Sequence, residues 1–233
     1  MSIIWFVLVV VLCFVVLGFV LRMLKGVARV MFSGVVLLLL VIGAVWLAMD
    51  ANDLSRHFYQ DEKLFLLYID GQVSGAFVLG PSDIPKPIGD LSEIRSVYPD
   101  LSKIQGENYK VLVLNWSVVQ GDIDILNFKA SSDEIKSALV SENPRQLFIE
   151  KTSKALGGGM IADLTAQVLA IYPSNDFFAS TMFSILAAKP LSNPDLVFAG
   201  IKQGTVKVYP ETVVFLMIKL IPEDLAKVLV PAK

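Results

Sequence analysis

The most pronounced hydrophobic pattern lies at the N-terminal end of the chain, where two long apolar runs contain no charged side chain. The first run covers residues 3–21 and the second covers residues 30–49, and only the basic stretch 22–29 separates them. At about 1.5 Å per residue, each run forms a helix of about 28 to 30 Å, which matches the hydrocarbon thickness of a bilayer. The pattern therefore predicts two transmembrane spans that form a helical hairpin, residues 1–49, and anchor the chain in a cell membrane.

The distribution of basic residues predicts the orientation of this hairpin. The turn contains Arg22, Lys25 and Arg29, whereas the flank after the second run, residues 50–63, contains only Arg56 and Lys63. Basic residues near span ends favour the cytoplasmic side. We therefore expect a cytoplasmic turn and an extracytoplasmic C-terminal domain, with the reversed topology as the alternative because the basic residues number three against two.

Beyond residue 49 the apolar runs become short and alternate with polar stretches. Residues 50–63 are polar with scattered aromatic side chains, which predicts a juxtamembrane helix or linker. Residues 64–69 and 72–79 are β-rich and flank Asp70-Gly71, a dipeptide that readily supplies the two positive φ angles of a type I′ turn. We therefore expect a β-hairpin at the start of the folded domain.

A loop and a short helix are expected after this hairpin. Gly80-Pro81 and Pro85-Lys86-Pro87 predict a rigid loop. Asp90 and Glu93 have the spacing of a capping box and predict a helix that extends to about residue 98.

Three further strands are expected from the pattern. The mostly apolar run 109–119 predicts a strand that is buried on both faces or central in the sheet. Residues 125–129 follow an acidic turn and predict another strand. Residues 205–209 alternate between apolar and polar positions and predict a third.

From residue 131 onward the pattern is mainly helical. Ser131 and Glu134 form a second capping box, and Asn143-Pro144 places an N-cap before a proline at the first helical position. The predicted helices are delimited by glycine and proline; one ends at the glycines 157–159, and others cover residues 160–172, 176–188, a short segment from 193 and residues 211–221. Strands first and helices afterwards indicate an α+β domain, residues 64–233, with a small β-sheet and a helical C-terminal half.

Charge and cysteine content exclude several classes of function. Residues 50–233 contain 17 Lys and Arg against 22 Asp and Glu, a net charge of −5, because the first 49 residues hold three of the 20 basic residues and none of the acidic ones. Such a domain has no basic field for nucleic acid. The only cysteine, Cys13, lies in the first run, so the chain has no intrachain disulfide and no cysteine-based metal cluster.

Few residues outside the membrane runs have the pattern of a catalytic or metal site. His57 is the only histidine, and it lies in a polar stretch close to the second run, where we interpret it as a solvated or interfacial side chain. Asp122 and Asp124 lack the ligand series of a calcium loop and predict a polar turn. We therefore assign no catalytic, cofactor-binding or metal-binding residue and expect no cofactor.

Two weaker patterns keep an enzymatic alternative open. The glycines 157–159 before Met160 could let backbone N–H groups approach a phosphate, but a helix C-terminus explains them and no P-loop lysine follows. A serine-lysine pair needs no histidine, and two groups of residues keep that chemistry possible: Lys151, Ser153 and Lys154, and Ser131 and Ser132 near Lys129. We interpret these lysines as solvated and protonated.

Two segments have more than one interpretation. Asn115-Trp116-Ser117 matches the acceptor pattern for N-glycosylation, but within a predicted apolar strand we interpret it as a chance match. The apolar helix 211–221 is too short to span a bilayer, and it could belong to the core, bind a partner or rest on the membrane; we favour the core.

The hairpin anchor, together with the segments SSDEIKSALVSENPRQLFIEK (residues 131–151) and IKQGTVKVYPET (residues 201–212), resembles uncharacterised two-span membrane proteins found in archaeal genomes. The resemblance implies an archaeal-type membrane setting. It implies no activity and transfers no functional residue.

These observations favour a non-enzymatic membrane protein that displays an α+β domain outside the cytoplasm. Its expected partners are the lipid bilayer and another membrane or surface protein, and it could form a homo-oligomer. One alternative is a membrane-bound hydrolase that uses a serine-lysine pair. Another is an accessory subunit of a membrane complex or a pore, which we disfavour because the two runs contain no polar group stronger than Ser33.

Overall fold

The computed structural model describes residues 12, 14–20, 22, 27–121, 123–125, 128–156, 167 and 170–220. The chain divides into two compact units, with the boundary between Asp53 and Leu54. The helices are α1 Val27–Gln60, α2 Ser92–Val97, α3 Leu101–Gln105, α4 Trp116–Val119, α5 Ser132–Val140, α6 Pro144–Leu156, α7 Asn175–Leu191, α8 Pro194–Gln203 and α9 Val213–Leu220. The strands are β1 Lys63–Ile69, β2 Gln72–Leu79, β3 Pro85–Pro87, β4 Lys110–Asn115, β5 Ile123–Ile125, β6 Phe128–Ala130 and β7 Val206–Tyr209.

Most of the N-terminal unit that the structure describes belongs to α1. Within α1, Met31–Phe58 is long and apolar enough to cross a membrane, and it is the one such helix in the described part of the chain. This segment contains most of the predicted second span, and the helix continues without a break to Gln60, so residues 50–60 are helix rather than linker.

The predicted first span is described only in part. Residues 14–20 are helical and most of their large apolar side chains are exposed, but most of the run 3–21 and half of the turn 22–29 lie outside the described residues. The structure therefore supports one apolar N-terminal helix and does not support the predicted two-span hairpin.

The C-terminal unit is α+β, as predicted, and is built on a five-stranded sheet with the order β3-β2-β1-β4-β7. The predicted hairpin is confirmed: β1 and β2 pair antiparallel across Asp70 and Gly71, whose φ angles are +46° and +97°. A bulge interrupts the pairing between Leu67 and Tyr68.

The centre of the sheet is a parallel pair that the sequence pattern does not reveal. Strand β4 runs parallel to β1, with Lys63 opposite Lys110, and β7 then pairs antiparallel with β4, with Val111 opposite Tyr209. A parallel pair requires a crossover connection. Here the segment 80–109, which includes β3, α2 and α3, provides it.

Alternation along β1 divides the core between the two faces of the sheet. Phe65 and Leu67 belong to a larger cluster that includes side chains from α4, α5, α7, α8 and α9. Leu64 and Leu66 face the other side and pack with Leu91 and side chains of α2 and α3. Leu54, in the last turns of α1, packs against the larger cluster, so the end of this helix is part of the folded domain.

Two predictions near the sheet edge are wrong. Pro85–Pro87 is a strand that pairs with β2 and not a loop, because proline is tolerated on an edge strand. Asp90 does not cap α2 through a capping box; its Oδ1 accepts from Ser92 N, and Leu91 occupies the N-cap position without a side-chain cap.

Two strand predictions also need correction. The predicted strand 109–119 stops at Asn115, whose side-chain oxygen caps α4 by accepting from Ser117 N. The predicted strand 125–129 is replaced by β5 and β6, which form a separate two-stranded sheet with Ile123 opposite Ala130.

In the helical half of the domain, the structure agrees more closely with the predictions. The capping box of Ser131 and Glu134 is confirmed, α6 begins at Pro144 as predicted, and α8 is capped by Asn193. Helix α7 differs because it continues through Pro190 to Leu191, although this proline lacks the N–H that would otherwise donate within the last turn. Most of the predicted helix 160–172 and all of the predicted turn after residue 221 lie outside the described residues.

Candidate functional site

A small apolar pocket lies where α5, α6 and α7 meet. Its apolar lining comes from α5, α6, α7 and the end of β6, and includes Ile135, Leu139, Phe148, Phe178 and Met182. Two charged residues, Glu134 and Lys151, also line it. Of these two residues, Lys151 is among those that the sequence offers for serine-lysine chemistry.

Glu134 and Lys151 form one connected network with Ser131. The Oε2 atom of Glu134 accepts from Ser131 N at 3.0 Å and from Ser131 Oγ at 3.1 Å, and Ser131 Oγ accepts from Glu134 N at 3.4 Å. Lys151 Nζ lies 3.8 Å from the other carboxylate oxygen, Oε1. The hydrogen bonds from Ser131 lower the pKa of Glu134, and the charge of Lys151 lowers it further.

This arrangement favours a structural role over catalysis. A serine-lysine pair needs a desolvated lysine that faces the serine hydroxyl. Lys151 instead faces a carboxylate and its side chain is 34% exposed, while the Ser131 hydroxyl is used to cap α5. The side chains of Ser153, Lys154 and Lys129 lie outside the described residues.

His57 lies in the last turn of α1, near the end of the sheet at which strand β1 begins. Its Nδ1 lies 2.6 Å from Asp61 Oδ2, and its ring centroid is 5.6 Å from that of Tyr109. The pair joins positions i and i+4 and closes the C-terminal end of the helix. His57 is thus paired and half-exposed, and its predicted role as a solvated or interfacial side chain stays a prediction.

Two buried lysines lie at the same end of the sheet, and nothing in the sequence indicates that they are buried. Lys63 and Lys110 are opposite each other in β1 and β4, and only 4% and 1% of their surfaces are exposed. Lys63 Nζ donates to the carbonyl oxygen of Phe58, and Lys110 Nζ donates to that of Pro210 at 3.0 Å. Burial lowers the pKa of Lys63, whereas the charges of Asp83 and Asp61 oppose this effect.

Each of these two lysines contacts an aromatic ring in addition to its carbonyl partner. Lys63 Nζ lies 5.1 Å from the Phe58 ring, and Lys110 Nζ lies 5.0 Å from the Tyr109 ring and 5.7 Å from that of Phe215. Each ammonium group thus meets a carbonyl and an aromatic face, which compensates part of the cost of burial. Lys63 therefore connects the C-terminal end of α1 to the sheet, and Lys110 connects Pro210, and Phe215 of α9, to it.

The candidate metal-binding and phosphate-binding motifs are only partly covered by the described residues. Among the residues that the structure describes, no group of three His, Cys, Asp or Glu side chains could hold a metal ion. Asp122 and the glycines 157–159 lie outside the described residues, as does the side chain of Asp124.

The N-glycosylation acceptor pattern at residues 115–117 and the apolar C-terminal helix α9 are both more exposed than predicted. Asn115 and Ser117 are exposed, so the interpretation of a sequence enclosed in a buried strand is wrong. In α9, Phe215 is buried in the core, but Leu216, Met217 and Leu220 are exposed. The helix is therefore only partly core.

No protein family, no curated protein and no solved structure matches this chain.

Proposed function

We propose that this protein is a non-enzymatic, membrane-anchored module that displays its α+β domain on the extracytoplasmic side and associates there with another membrane or surface protein. The observation that carries the proposal is the apolar segment Met31–Phe58 of α1, which is long enough to cross a bilayer. Its apolar side chains are largely exposed, whereas the core helix of a water-soluble domain would bury them.

The finer part of the proposal is a two-span hairpin in an archaeal-type membrane, with spans at residues 3–21 and 30–49. Support comes from the length and composition of both runs and from the exposed helical residues 14–20. The three basic residues of the segment 22–29 favour a cytoplasmic turn. Both ends of the hairpin, and the domain that follows it, would then be extracytoplasmic.

The absence of an enzymatic role is proposed from the partners of the reactive side chains. Ser131 caps a helix, Lys151 pairs with Glu134, and His57 pairs with Asp61. Each of these interactions holds a local element of the fold. A serine-lysine hydrolase remains the alternative that labelling with a serine-reactive probe tests.

Association with a second protein is proposed from the exposed apolar side chains of α8 and α9. Leu196, Leu216, Met217 and Leu220 are 43%, 47%, 37% and 80% exposed. Large apolar side chains grouped on adjacent helices are typical of interaction surfaces. Because the domain is tethered, we propose a partner protein in the same membrane rather than a diffusible one.

Membrane fractionation and protease accessibility test the anchor and its orientation. The full-length chain is expected to stay in the membrane after alkaline carbonate washing and to require detergent for release. A protease added to intact cells is expected to digest the domain. Release by carbonate would overturn the anchor, and digestion only after lysis would reverse the orientation.

Crosslinking in native membranes tests the association. The wild-type chain is expected to give a discrete crosslinked product, and Leu216→Asp is expected to reduce it strongly because a charge on the apolar surface opposes desolvation. Gln203→Ser, at an exposed polar position of α8, serves as the matched control and should leave the product unchanged. A chain that runs only as a monomer and gives no product contradicts the proposal.

A further inference from the structure

The chain contains a single match to the N-glycosylation acceptor pattern, Asn115-Trp116-Ser117. The structure places it at the junction between β4 and α4. Strand β4 ends at Asn115, whose backbone N–H still donates to Thr205 O at 2.8 Å, and the chain then turns into the short helix. The acceptor residue therefore lies at the surface end of a strand.

The side chains around this junction separate into an inner and an outer group. Trp116 and Val119 are 7% and 3% exposed and belong to the larger core cluster. Asn115 and Ser117, on either side of Trp116, are both exposed. Burial of the middle residue thus fixes the two residues that the acceptor pattern requires in outward positions.

The reacting groups at this site are available for modification. Asn115 Oδ1 accepts from Ser117 N at 3.3 Å, and this bond turns the side chain so that its oxygen is the engaged atom. Within the described part of the chain, neither Asn115 Nδ2 nor the hydroxyl of Ser117 takes part in a hydrogen bond. The amide nitrogen, which is the atom that would be modified, belongs to an exposed side chain and makes no hydrogen bond with the described residues.

The site lies at the opposite end of the sheet from the end of α1. Glu62 O accepts from Tyr109 N, so α1 joins the domain where β4 begins, and β4 runs six residues from there to Asn115. At about 3.3 Å per residue, the strand places Asn115 about 17 Å from Lys110 along the sheet. A bulky glycan at Asn115 would therefore not disturb the packing of residues 54–60.

We infer that Asn115 is an N-glycosylation site, an inference that rests on the proposed extracytoplasmic location of the domain. The sugar donor is a glycan linked to a polyprenyl phosphate or diphosphate, and a membrane-bound transferase carries out the reaction. The bond between C1 of the sugar and the phosphate oxygen breaks, and its electron pair leaves with the lipid phosphate. A bond forms between C1 and Asn115 Nδ2, which loses one proton.

Glycosylation mapping of the full-length chain, translated in the presence of glycosylating microsomes, tests this inference. The wild-type chain is expected to carry one glycan that an endoglycosidase removes. Asn115→Gln and Ser117→Ala should abolish it, and Ser117→Thr should retain it. Ser117→Ala leaves the capping side chain of Asn115 in place, so its loss of the glycan does not depend on disruption of α4.

A second acceptor sequence separates failure of this inference from failure of the proposed topology. Gln203→Asn turns Gln203-Gly204-Thr205 into an acceptor at an exposed position of the same region, because Thr205 O accepts from Asn115 N. This variant is expected to carry two glycans. If Gln203→Asn instead carries only one glycan, and that glycan persists after Asn115→Gln is added, then Asn115 is not modified and the topology is left intact.

Protease treatment of the same microsomes completes the test. If neither acceptor is modified and the domain is digested from outside, the extracytoplasmic location and the inference both fail. If neither is modified and the domain is protected, the inference alone fails.

Discussion

Arg95 and Asp176, which are 81 residues apart in the chain, form a two-point ion pair with N–O distances of 2.9 and 3.3 Å. Asp176 Oδ2 also accepts from Leu91 N, and Arg95 Nε donates to Val73 O, each at 2.9 Å. The pair therefore joins α2, β2 and the first turn of α7. It connects helices that pack on opposite faces of the sheet.

Removal of this pair is expected to destabilise the domain. Arg95→Ala should lower the free energy of unfolding by about 1 to 2 kcal/mol, because it removes charge-assisted hydrogen bonds at a partly exposed site. Urea unfolding of the full-length chain in mild detergent, followed by tryptophan fluorescence, measures this change.

The control is an ion pair of similar chemistry in a more exposed place. Lys103 Nζ lies 3.3 Å from Asp100 Oδ2, and the Lys103 side chain is 69% exposed. Lys103→Ala should change the free energy of unfolding by less than about 0.5 kcal/mol. Equal effects of the two substitutions would show that the Arg95 pair is no more than a surface contact.

The capping role of Ser131 leads to a second prediction. Ser131→Ala removes the acceptor for Glu134 N and should lower the free energy of unfolding by about 1 kcal/mol. Because Ser131 acts as a cap, a serine-reactive probe should not label it in the native chain. Labelling that disappears in Ser131→Ala would contradict this role and would support the hydrolase.

The lowered pKa of Glu134 makes a third prediction about acid stability. A carboxylate whose pKa is lower in the folded than in the unfolded state stabilises the fold above its unfolded pKa, and this contribution is lost as the pH falls through the folded pKa. Glu134→Gln should therefore be less stable than the wild type at neutral pH. The difference should narrow as the pH falls below about 4.

Unfolding measurements at a series of pH values test this behaviour. The hydrogen bonds from Ser131 are the largest cause of the shift, followed by the charge of Lys151. Lys151→Met removes only the smaller cause. The stability difference between this variant and the wild type should therefore also narrow as the pH falls, but by less than the difference for Glu134→Gln. If the difference in the free energy of unfolding between Glu134→Gln and the wild type stays constant with pH, the network of Ser131, Glu134 and Lys151 does not lower the pKa of Glu134.

The packing of α8 on β7 gives a fourth prediction. A Cβ atom at Gly200 would lie 2.5 Å from Val206 Cγ2, and Val206 is buried. Gly200→Ala should lower the free energy of unfolding by about 1 to 3 kcal/mol, because the close contact forces the helix or the valine to move.

Gly121 provides the matched control for this substitution. A Cβ atom there has no neighbour within 4 Å, and the residue has no positive φ angle. Gly121→Ala should be neutral or should stabilise the chain by up to about 1 kcal/mol by restricting the unfolded state. Equal destabilisation by both substitutions, measured in the same urea titration, would contradict the close packing at Gly200.

Much of the local structure could be predicted from short-range signals. Asp70-Gly71 supplies the φ angles of the hairpin, Ser131 and Glu134 form their capping box, and Pro144 begins its helix. In each case the residues that cause the structure are within a few positions of one another. Their chemistry is thus readable without knowledge of the fold.

The candidate sites were less accessible to such reasoning. The predicted strand 109–119 is too long because β4 stops at Asn115, where a side-chain cap begins and overrides the apolar pattern. Nothing in the sequence distinguishes Lys63 and Lys110 from exposed lysines. Their burial follows from strand register and from segments that pack beside them.

The sequence by itself determined the apolar N-terminal helix, the hairpin, the helix caps and the α+β order of elements, because periodicity and local hydrogen bonding act over neighbouring residues. Only the tertiary structure decided the parallel pairing of β1 with β4, the position of β7 at the sheet edge and the link between Arg95 and Asp176. These features join distant segments, and the burial of both sheet faces selects among the pairings that local propensity leaves equal.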